Sequence, residues 1–98
     1  MSSILWSRLR DIASRSVGKN VQLFATTEMD HNLRAVVRSQ LDTTEIILNL
    51  AYNKTIGQII KSLAHELAHV KLGNNGHDNQ FKEEWGRLVK VITDEYNK

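Results

Sequence analysis

Apolar residues recur at two spacings along this chain, and each change of spacing marks a border between two predicted elements. Apolar positions three and four residues apart are typical of a helix with one buried face, whereas alternation is typical of a half-buried strand. In chain order, the pattern predicts a helix over 3–17, strands over 21–27, 33–41 and 45–51, and helices over 56–72 and 78–95. Because the connections between the strands are short, we expect a three-stranded antiparallel meander. The predicted fold class is α+β, in one domain spanning residues 1–98.

The same pattern predicts which apolar side chains share a face within each element. In the first helix these are Leu5, Leu9, Ile12 and Ala13; in the strands Val21, Leu23 and Ala25, then Leu33, Ala35, Val37 and Leu41, then Ile46, Leu48 and Leu50; in the last two helices Ile56, Ile59, Ile60, Leu63 and Leu67, then Phe81, Trp85, Leu88, Val89, Ile92 and Tyr96. We expect these faces to form the core.

Capping residues mark the helix ends. Thr55 and Gln58 have the spacing of a capping box, in which each side chain bonds a backbone N–H of the first turn. Gly73 stands where a helix ends in the left-handed conformation. The other predicted caps are Ser2 or Ser3 and Gly18 for the first helix and Asp78 for the third, and the predicted turns between strands are Asp30-His31-Asn32 and Asp42-Thr43-Thr44.

Composition narrows the possible functions. With 41% hydrophobic and 24% charged residues the chain is typical of a globular domain, and a net charge of +2 is too small to indicate nucleic-acid binding by itself. The absence of cysteine excludes disulfides, cysteine zinc ribbons and a cysteine nucleophile. Charged residues interrupt the apolar runs, so we expect neither a signal peptide nor a membrane partner. We therefore expect a cytoplasmic monomer.

The segment His65-Glu66-Leu67-Ala68-His69 carries the chemistry. Its two histidines are four residues apart, so in a helix their rings project from one face and can bind a single zinc ion. Glu66 lies about 100° from His65 and about 60° from His69 around the helix axis. It therefore borders such a metal without being a ligand, where a general base has to stand.

A catalytic zinc ion needs a third protein ligand. His77 is the first choice, because residues 73–76 are rich in glycine and asparagine and can fold the chain back toward the helix. Glu84 on the next helix is the alternative. His31 is assigned to an exposed turn. The side chains considered for stabilising the oxyanion of the reaction are Tyr52, His31 and Tyr96, and the sequence does not choose among them.

This arrangement resembles the zincin metallopeptidases, and among them the SprT-like group. The resemblance rests on the H-E-x-x-H segment followed by Gly76-His77 and an aromatic residue, Phe81, and it covers roughly residues 20–95. It implies a minimal zincin-like fold, Zn²⁺ at His65, His69 and His77, and Glu66 as the catalytic base. The WLM-type peptidases have similar patterns, and the minigluzincins use a glutamate as third ligand.

The resemblance implies hydrolysis of a protein or peptide substrate. Many SprT-like proteins also carry a cysteine zinc ribbon or other nucleic-acid-binding parts, and this chain has none. Arg34 and Arg38 could contact phosphate, yet a solvated strand face is the better interpretation, so DNA is only weakly supported as a partner. Two alternatives stay open: a non-catalytic zincin-fold module that binds a protein or nucleic acid, and a latent peptidase whose own tail fills the cleft.

Overall fold

The fold is seen in a computed structural model, which describes residues 4–30, 32–73 and 76–98. Its elements are α1 (Trp6–Val17), β1 (Asn20–Thr26), β2 (Ala35–Gln40), β3 (Thr43–Asn49), α2 (Ile56–Leu72) and α3 (Asn79–Tyr96). The prediction of an α+β fold with a helix, three strands and two helices is confirmed. Across the described residues, every helix is too short or too polar to cross a lipid bilayer.

The predicted antiparallel meander is wrong. The strand order is β1-β3-β2, with β1 parallel to β3 and β2 antiparallel to β3. The central strand, β3, contributes the fully buried Ile46 and Leu48, whereas β2 ends in the exposed Arg38, Ser39 and Gln40. Placing the more apolar strand in the middle buries more hydrocarbon and leaves the polar strand at an edge, where it also discourages pairing with other chains.

A buried asparagine holds the crossing connection that makes this order possible. The side-chain amide of Asn49 donates to the backbone oxygens of Leu33 (2.7 Å) and Asp30 (3.3 Å). The carboxylate of Asp30 in turn accepts from the N–H of Asn32 at 2.9 Å, as predicted for an Asp turn. His31, the middle residue of that predicted turn, lies outside the described residues. The segment between β1 and β2 is thereby fixed to the end of β3.

Within the sheet that the described residues form, β2 is an edge strand. The N–H of Asn49 donates to the oxygen of Arg34 at 2.9 Å, which sets the phase of the ladder between β2 and β3. In an antiparallel pair, alternate residues direct their backbone groups at the partner and away from it. The residues of β2 that direct their backbone groups to the open edge are therefore Ala35, Val37 and Ser39.

The hairpin between β2 and β3 is tighter than predicted. Gln40 pairs with Thr43, so the loop is Leu41-Asp42 and the predicted turn over residues 42–44 is shifted. Leu41 has φ of 42°, in the left-handed region, and is fully exposed. Leu33 precedes β2 and is also exposed. Both side chains were predicted to face inward. These two predictions are wrong because both residues lie outside the strand.

Helix α1 begins later than predicted. Its N-cap is Leu5, which is half exposed and therefore not part of the buried stripe. The predicted caps Ser2 and Ser3 lie outside the described residues. Instead, the N–H of Leu5 donates to the hydroxyl of Tyr96 at 3.0 Å, so the last turn of α3 caps α1. At its other end, Gly18 is left-handed as predicted.

The other two helices match their predictions closely. Helix α2 has the predicted bounds, the Thr55–Gln58 capping box and a left-handed Gly73, and Asp78 caps α3 by accepting from the N–H of Phe81. Helix α2 packs on α3 and on strands β2 and β3, and α1 packs on β1 and on both other helices. The core between these layers consists of Leu9, Ile12, Ala13, Val21, Ile46, Leu48, Ile59, Ile60, Leu63, Ala64, Leu67, Ala68, Phe81, Leu88 and Ile92.

Candidate metal centre

Helix α2 divides its residues between the core and an open face. Leu63 and Leu67 are fully buried, whereas His65 and His69 are only partly buried. The two imidazoles lie one turn apart with ring centroids 4.8 Å from each other. Their placement follows from the helical repeat, because the leucines fix which side of α2 faces the core.

The turn after α2 returns the chain to this face. Gly73 ends the helix in the left-handed conformation, with its N–H donating to the oxygen of His69 at 2.9 Å. Asp78 then caps α3, so His77 is held between the end of one helix and the start of the next. Asn74 and Asn75, predicted as part of the loop, lie outside the described residues. One nitrogen each from His65, His69 and His77 lie within 4.8 Å of one another, so the three can hold a metal ion.

One pair of donor atoms has the spacing that a tetrahedral ion requires. The Nε2 atoms of His65 and His77 are 3.2 Å apart. Two zinc–nitrogen bonds of about 2.0–2.1 Å at a tetrahedral angle place their nitrogens about 3.3–3.4 Å apart. Three neutral imidazoles also suit zinc better than Mg²⁺ or Ca²⁺, which prefer oxygen ligands. The chemistry of all three residues and the spacing of the His65–His77 pair therefore fit zinc.

A buried aromatic ring supports all three imidazoles. Phe81 is 1% exposed, stacks on His69 with centroids 4.4 Å apart, and meets His65 and His77 at 5.1 Å and 4.8 Å. Trp85, one turn further along α3, has its ring edge against His65 at 4.9 Å. These contacts restrict the rotation of the imidazoles, so α3 positions ligands that α2 contributes.

Glu66 lies beside the histidines but outside the group of three nitrogens. Its side chain is 14% exposed, and its Oε1 is 3.3 Å from Nδ1 of His65. Burial lowers the pKa of His65, and the neighbouring His69 and His77 lower it further, against the opposing effect of Glu66. A lowered pKa keeps the imidazole neutral, which is the form that binds metals.

The alternative third ligand is engaged elsewhere. Oε2 of Glu84 accepts from Nζ of Lys71 at 3.2 Å and from the guanidinium of Arg87, whose Nε is 3.0 Å away. Both cations hold the pKa of Glu84 below its usual range, Arg87 having the larger effect. Among the described residues, the donor group consists of histidines, without Glu84.

Tyr96, Tyr52 and His31 were the side chains considered for stabilising the oxyanion, and their positions differ. Tyr96 caps α1 from the far end of α3, about 27 Å along a helix of 18 residues from the end next to His77, so it is excluded. The ring of Tyr52 is occupied by Arg34, whose Cζ lies 5.0 Å from the ring centroid. His31 lies outside the described residues. The structure therefore leaves this role unassigned.

Two clefts meet at His65 and Glu66, which lie in the walls of both. The tryptophan cleft, of about 340 Å³, is lined by Asn32, Leu33, Arg34, Ala35, Lys61, Ser62, His65, Glu66 and Trp85. The histidine cleft, of about 670 Å³, is lined by Lys19, Val37, Ser39, His65, Glu66, His69, Val70, Gly73 and His77. Strand β2 contributes to both, so its open edge runs beside the whole site.

Sequence reasoning missed a buried polar network behind the tryptophan cleft. The amide of Asn53 donates to the backbone oxygens of Arg34 (3.0 Å) and Asn49 (2.8 Å), and its Oδ1 accepts from the hydroxyl of Ser62 at 2.6 Å. This network joins α2 to the start of β2. The one signal in the sequence was the presence of two polar residues, Asn53 just before the predicted helix over 56–72 and Ser62 within it.

Comparison of the chain with protein-family models, with curated proteins and with solved structures finds no match in any of the three.

Proposed function

We propose that this protein is a zinc-dependent metallopeptidase. The observation that carries the proposal is the convergence of His65, His69 and His77 within 4.8 Å beside Glu66, at the meeting point of two open clefts. Three imidazoles leave one coordination position of a tetrahedral ion free, which is the pattern of catalytic rather than structural zinc sites.

A zinc ion at these imidazoles would supply a Lewis acid that lowers the pKa of a water molecule and polarises the carbonyl of a peptide bond. Glu66 then accepts a proton from the attacking water and donates it to the leaving amine. Its carboxylate suits this role because it borders both clefts and is 14% exposed, so water reaches it. Phe81 holds the imidazoles in place throughout.

The substrate we propose is an extended peptide. Ala35, Val37 and Ser39 direct their backbone groups to the open edge of β2, and a peptide strand can pair with such an edge. The side chains of the same residues line the two clefts, so a peptide paired there would lie across the histidines. A DNA-associated protein substrate remains a hypothesis that rests on the resemblance to the SprT-like group.

One observation favours a second candidate, a non-catalytic metal-binding module. Oε1 of Glu66 faces Nδ1 of His65 at 3.3 Å. Carboxylates in that position commonly orient a metal-binding histidine, and losing one costs about 10–100-fold in metal affinity. Glu66 would then support the metal site without taking part in hydrolysis.

The variant Glu66→Gln separates the two candidates. If Glu66 is the general base, the variant keeps its zinc and loses cleavage of an unfolded protein substrate by about a hundredfold or more. If Glu66 only orients His65, zinc affinity falls and cleavage is absent in the wild type as well. Glu83→Gln, an exposed glutamate on α3, is the matched control and leaves both quantities unchanged.

A further inference from the structure

We propose that the tryptophan cleft binds a carboxylate of the substrate peptide through Arg34 and Lys61, next to the bond that is cleaved. Cleavage rests on the proposed function, whereas selective binding of the carboxylate does not. The inference concerns the chemistry of the cleft wall, which the histidine motif leaves undetermined.

The charges of the cleft favour an anion. Arg34 and Lys61 lie in its wall, and its one carboxylate, Glu66, faces Nδ1 of His65. Within the described part of the chain, neither cation has an acidic side chain within 4.0 Å, although Arg38, Lys71 and Arg87 do. Among the described residues, the cleft thus holds two positive charges that form no ion pair.

Aromatic rings hold these cations at the cleft. Cζ of Arg34 lies 5.0 Å from the centroid of Tyr52, and Nζ of Lys61 lies 5.8 Å from that of Trp85. Trp85 is itself fixed, because its Nε1 donates to the backbone oxygen of Lys61 at 3.0 Å. Cations held in this way lose less conformational freedom on binding than free surface side chains do.

The backbone behind Arg34 is fixed as well. Its carbonyl oxygen accepts from the N–H of Asn49 and from the side-chain amide of Asn53. The rest of the wall includes apolar groups, namely Leu33, Ala35 and the ring of Trp85. An apolar stem that ends in a carboxylate matches this combination of surfaces.

The cleft is directly connected to the metal centre. His65 belongs both to its wall and to the donor group, and the ring of Trp85 touches His65 at 4.9 Å. A group bound by Arg34 and Lys61 therefore belongs to a residue close to the scissile bond. Its carboxylate could come from an acidic side chain or from the C-terminus of the peptide, and the chemistry of recognition is the same for both.

The test compares cleavage of matched peptides by the zinc-loaded protein. In each pair, one glutamate is replaced by glutamine at a single position near the cleaved bond. We expect one position at which the glutamate peptide has a kcat/KM at least about tenfold higher, as for a charge-assisted hydrogen bond. A further pair, with a free or an amidated C-terminus and no acidic side chain, identifies the source of the carboxylate.

Variants then assign the preference to the two cations. Arg34→Gln combined with Lys61→Met should bring the ratio of the glutamate and glutamine peptides close to one. The control combines Arg38→Gln with Lys82→Met, which removes the same charge from exposed positions outside the cleft lining, and should preserve the ratio. Two results overturn the inference. In the first, the preference for the glutamate peptide persists after Arg34→Gln and Lys61→Met. In the second, the wild type shows no preference at any position and none for a free over an amidated C-terminus.

Binding separates this inference from the proposed function. Peptide affinities are measured by tryptophan fluorescence, with zinc-loaded Glu66→Gln if the wild type cleaves the peptides and with the zinc-loaded wild type if it does not. Selective binding of the carboxylate peptides, lost with Arg34→Gln and Lys61→Met, supports the inference even if the wild type cleaves nothing, and the proposed function alone then fails. Cleavage or binding without any preference for the carboxylate overturns the inference.

Discussion

Asn53→Ala should weaken the junction between α2 and β2. The side chain of Asn53 is 4% exposed and makes three hydrogen bonds, to the oxygens of Arg34 and Asn49 and from the hydroxyl of Ser62. Both backbone oxygens keep a second partner, since each also accepts from a backbone N–H. The hydroxyl of Ser62 alone loses its acceptor.

The magnitude follows from this count. Each hydrogen bond contributes about 1 kcal/mol net, so losing three while leaving one hydroxyl without its acceptor should lower the free energy of unfolding by about 3 kcal/mol. A domain is usually stable by about 5–15 kcal/mol, so the variant should still fold. Ser62→Ala removes one of the three bonds and should cost about 1–2 kcal/mol.

Urea denaturation of the metal-free protein measures these free energies. The double variant of Asn53 and Ser62 should be more stable than the sum of the single effects predicts, by about 1 kcal/mol, because the two share a bond. The exposed Asn79→Ala is the control and should change stability by less than about 0.5 kcal/mol. A loss below about 1 kcal/mol for Asn53→Ala, or strict additivity, would refute the role assigned to the network.

Three further predictions concern other parts of the molecule. Phe81→Leu should lower the free energy of unfolding by up to about 1.5 kcal/mol. It should also weaken zinc binding about tenfold, measured by competition titration, because the imidazoles lose the ring they pack on. Unchanged zinc affinity would contradict the role of Phe81 in holding the imidazoles. Leu41→Gly should raise the free energy of unfolding by about 1 kcal/mol relative to Leu41→Ala, because only glycine adopts a positive φ without strain; equal stabilities would show that the loop is unstrained. Arg87 and Lys71 lower the pKa of Glu84 in the folded protein. The ion pairs of Glu84 therefore stabilise the fold fully at pH values above its ordinary pKa near 4.5. This stabilisation is lost as the pH falls through the lower pKa of the folded state. The stability difference between wild type and Glu84→Gln in urea titrations should therefore be constant near neutral pH and shrink in acid, and a difference that grows in acid would reverse the sign assigned to the pair.

The helices were the most predictable part of the fold. The bounds of α2 follow from its sequence, because the Thr55–Gln58 box and Gly73 satisfy backbone groups locally. Alternation in the strands predicts faces: Ile46 and Leu48 are buried as predicted, whereas Ala25, also predicted to face inward, is exposed. Alternation carries no information about which strands are neighbours, so the parallel pairing of β1 with β3 depends on contacts distant in sequence, such as those of Asn49.

The site shows the same division between local and distant determinants. His65 and His69 meet because of the helical repeat, which can be read directly from the sequence. The choice of His77 or Glu84 as the third ligand depends on the position of α3 and on the cations near Glu84. The sequence pattern determines neither of these two features. The Arg34 and Lys61 pair in the tryptophan cleft joins a strand to a helix, so only the folded chain brings the two together.

Metal content tests the central claim most directly. Zinc is measured per chain by mass spectrometry after dialysis against a weak chelator, for the wild type, His77→Ala and Glu84→Ala. The histidine centre predicts one zinc ion per chain in the wild type and in Glu84→Ala, and loss of most of it in His77→Ala. A wild type that retains no metal, or a His77→Ala variant that retains as much as the wild type, would contradict the assignment of the three histidines as ligands.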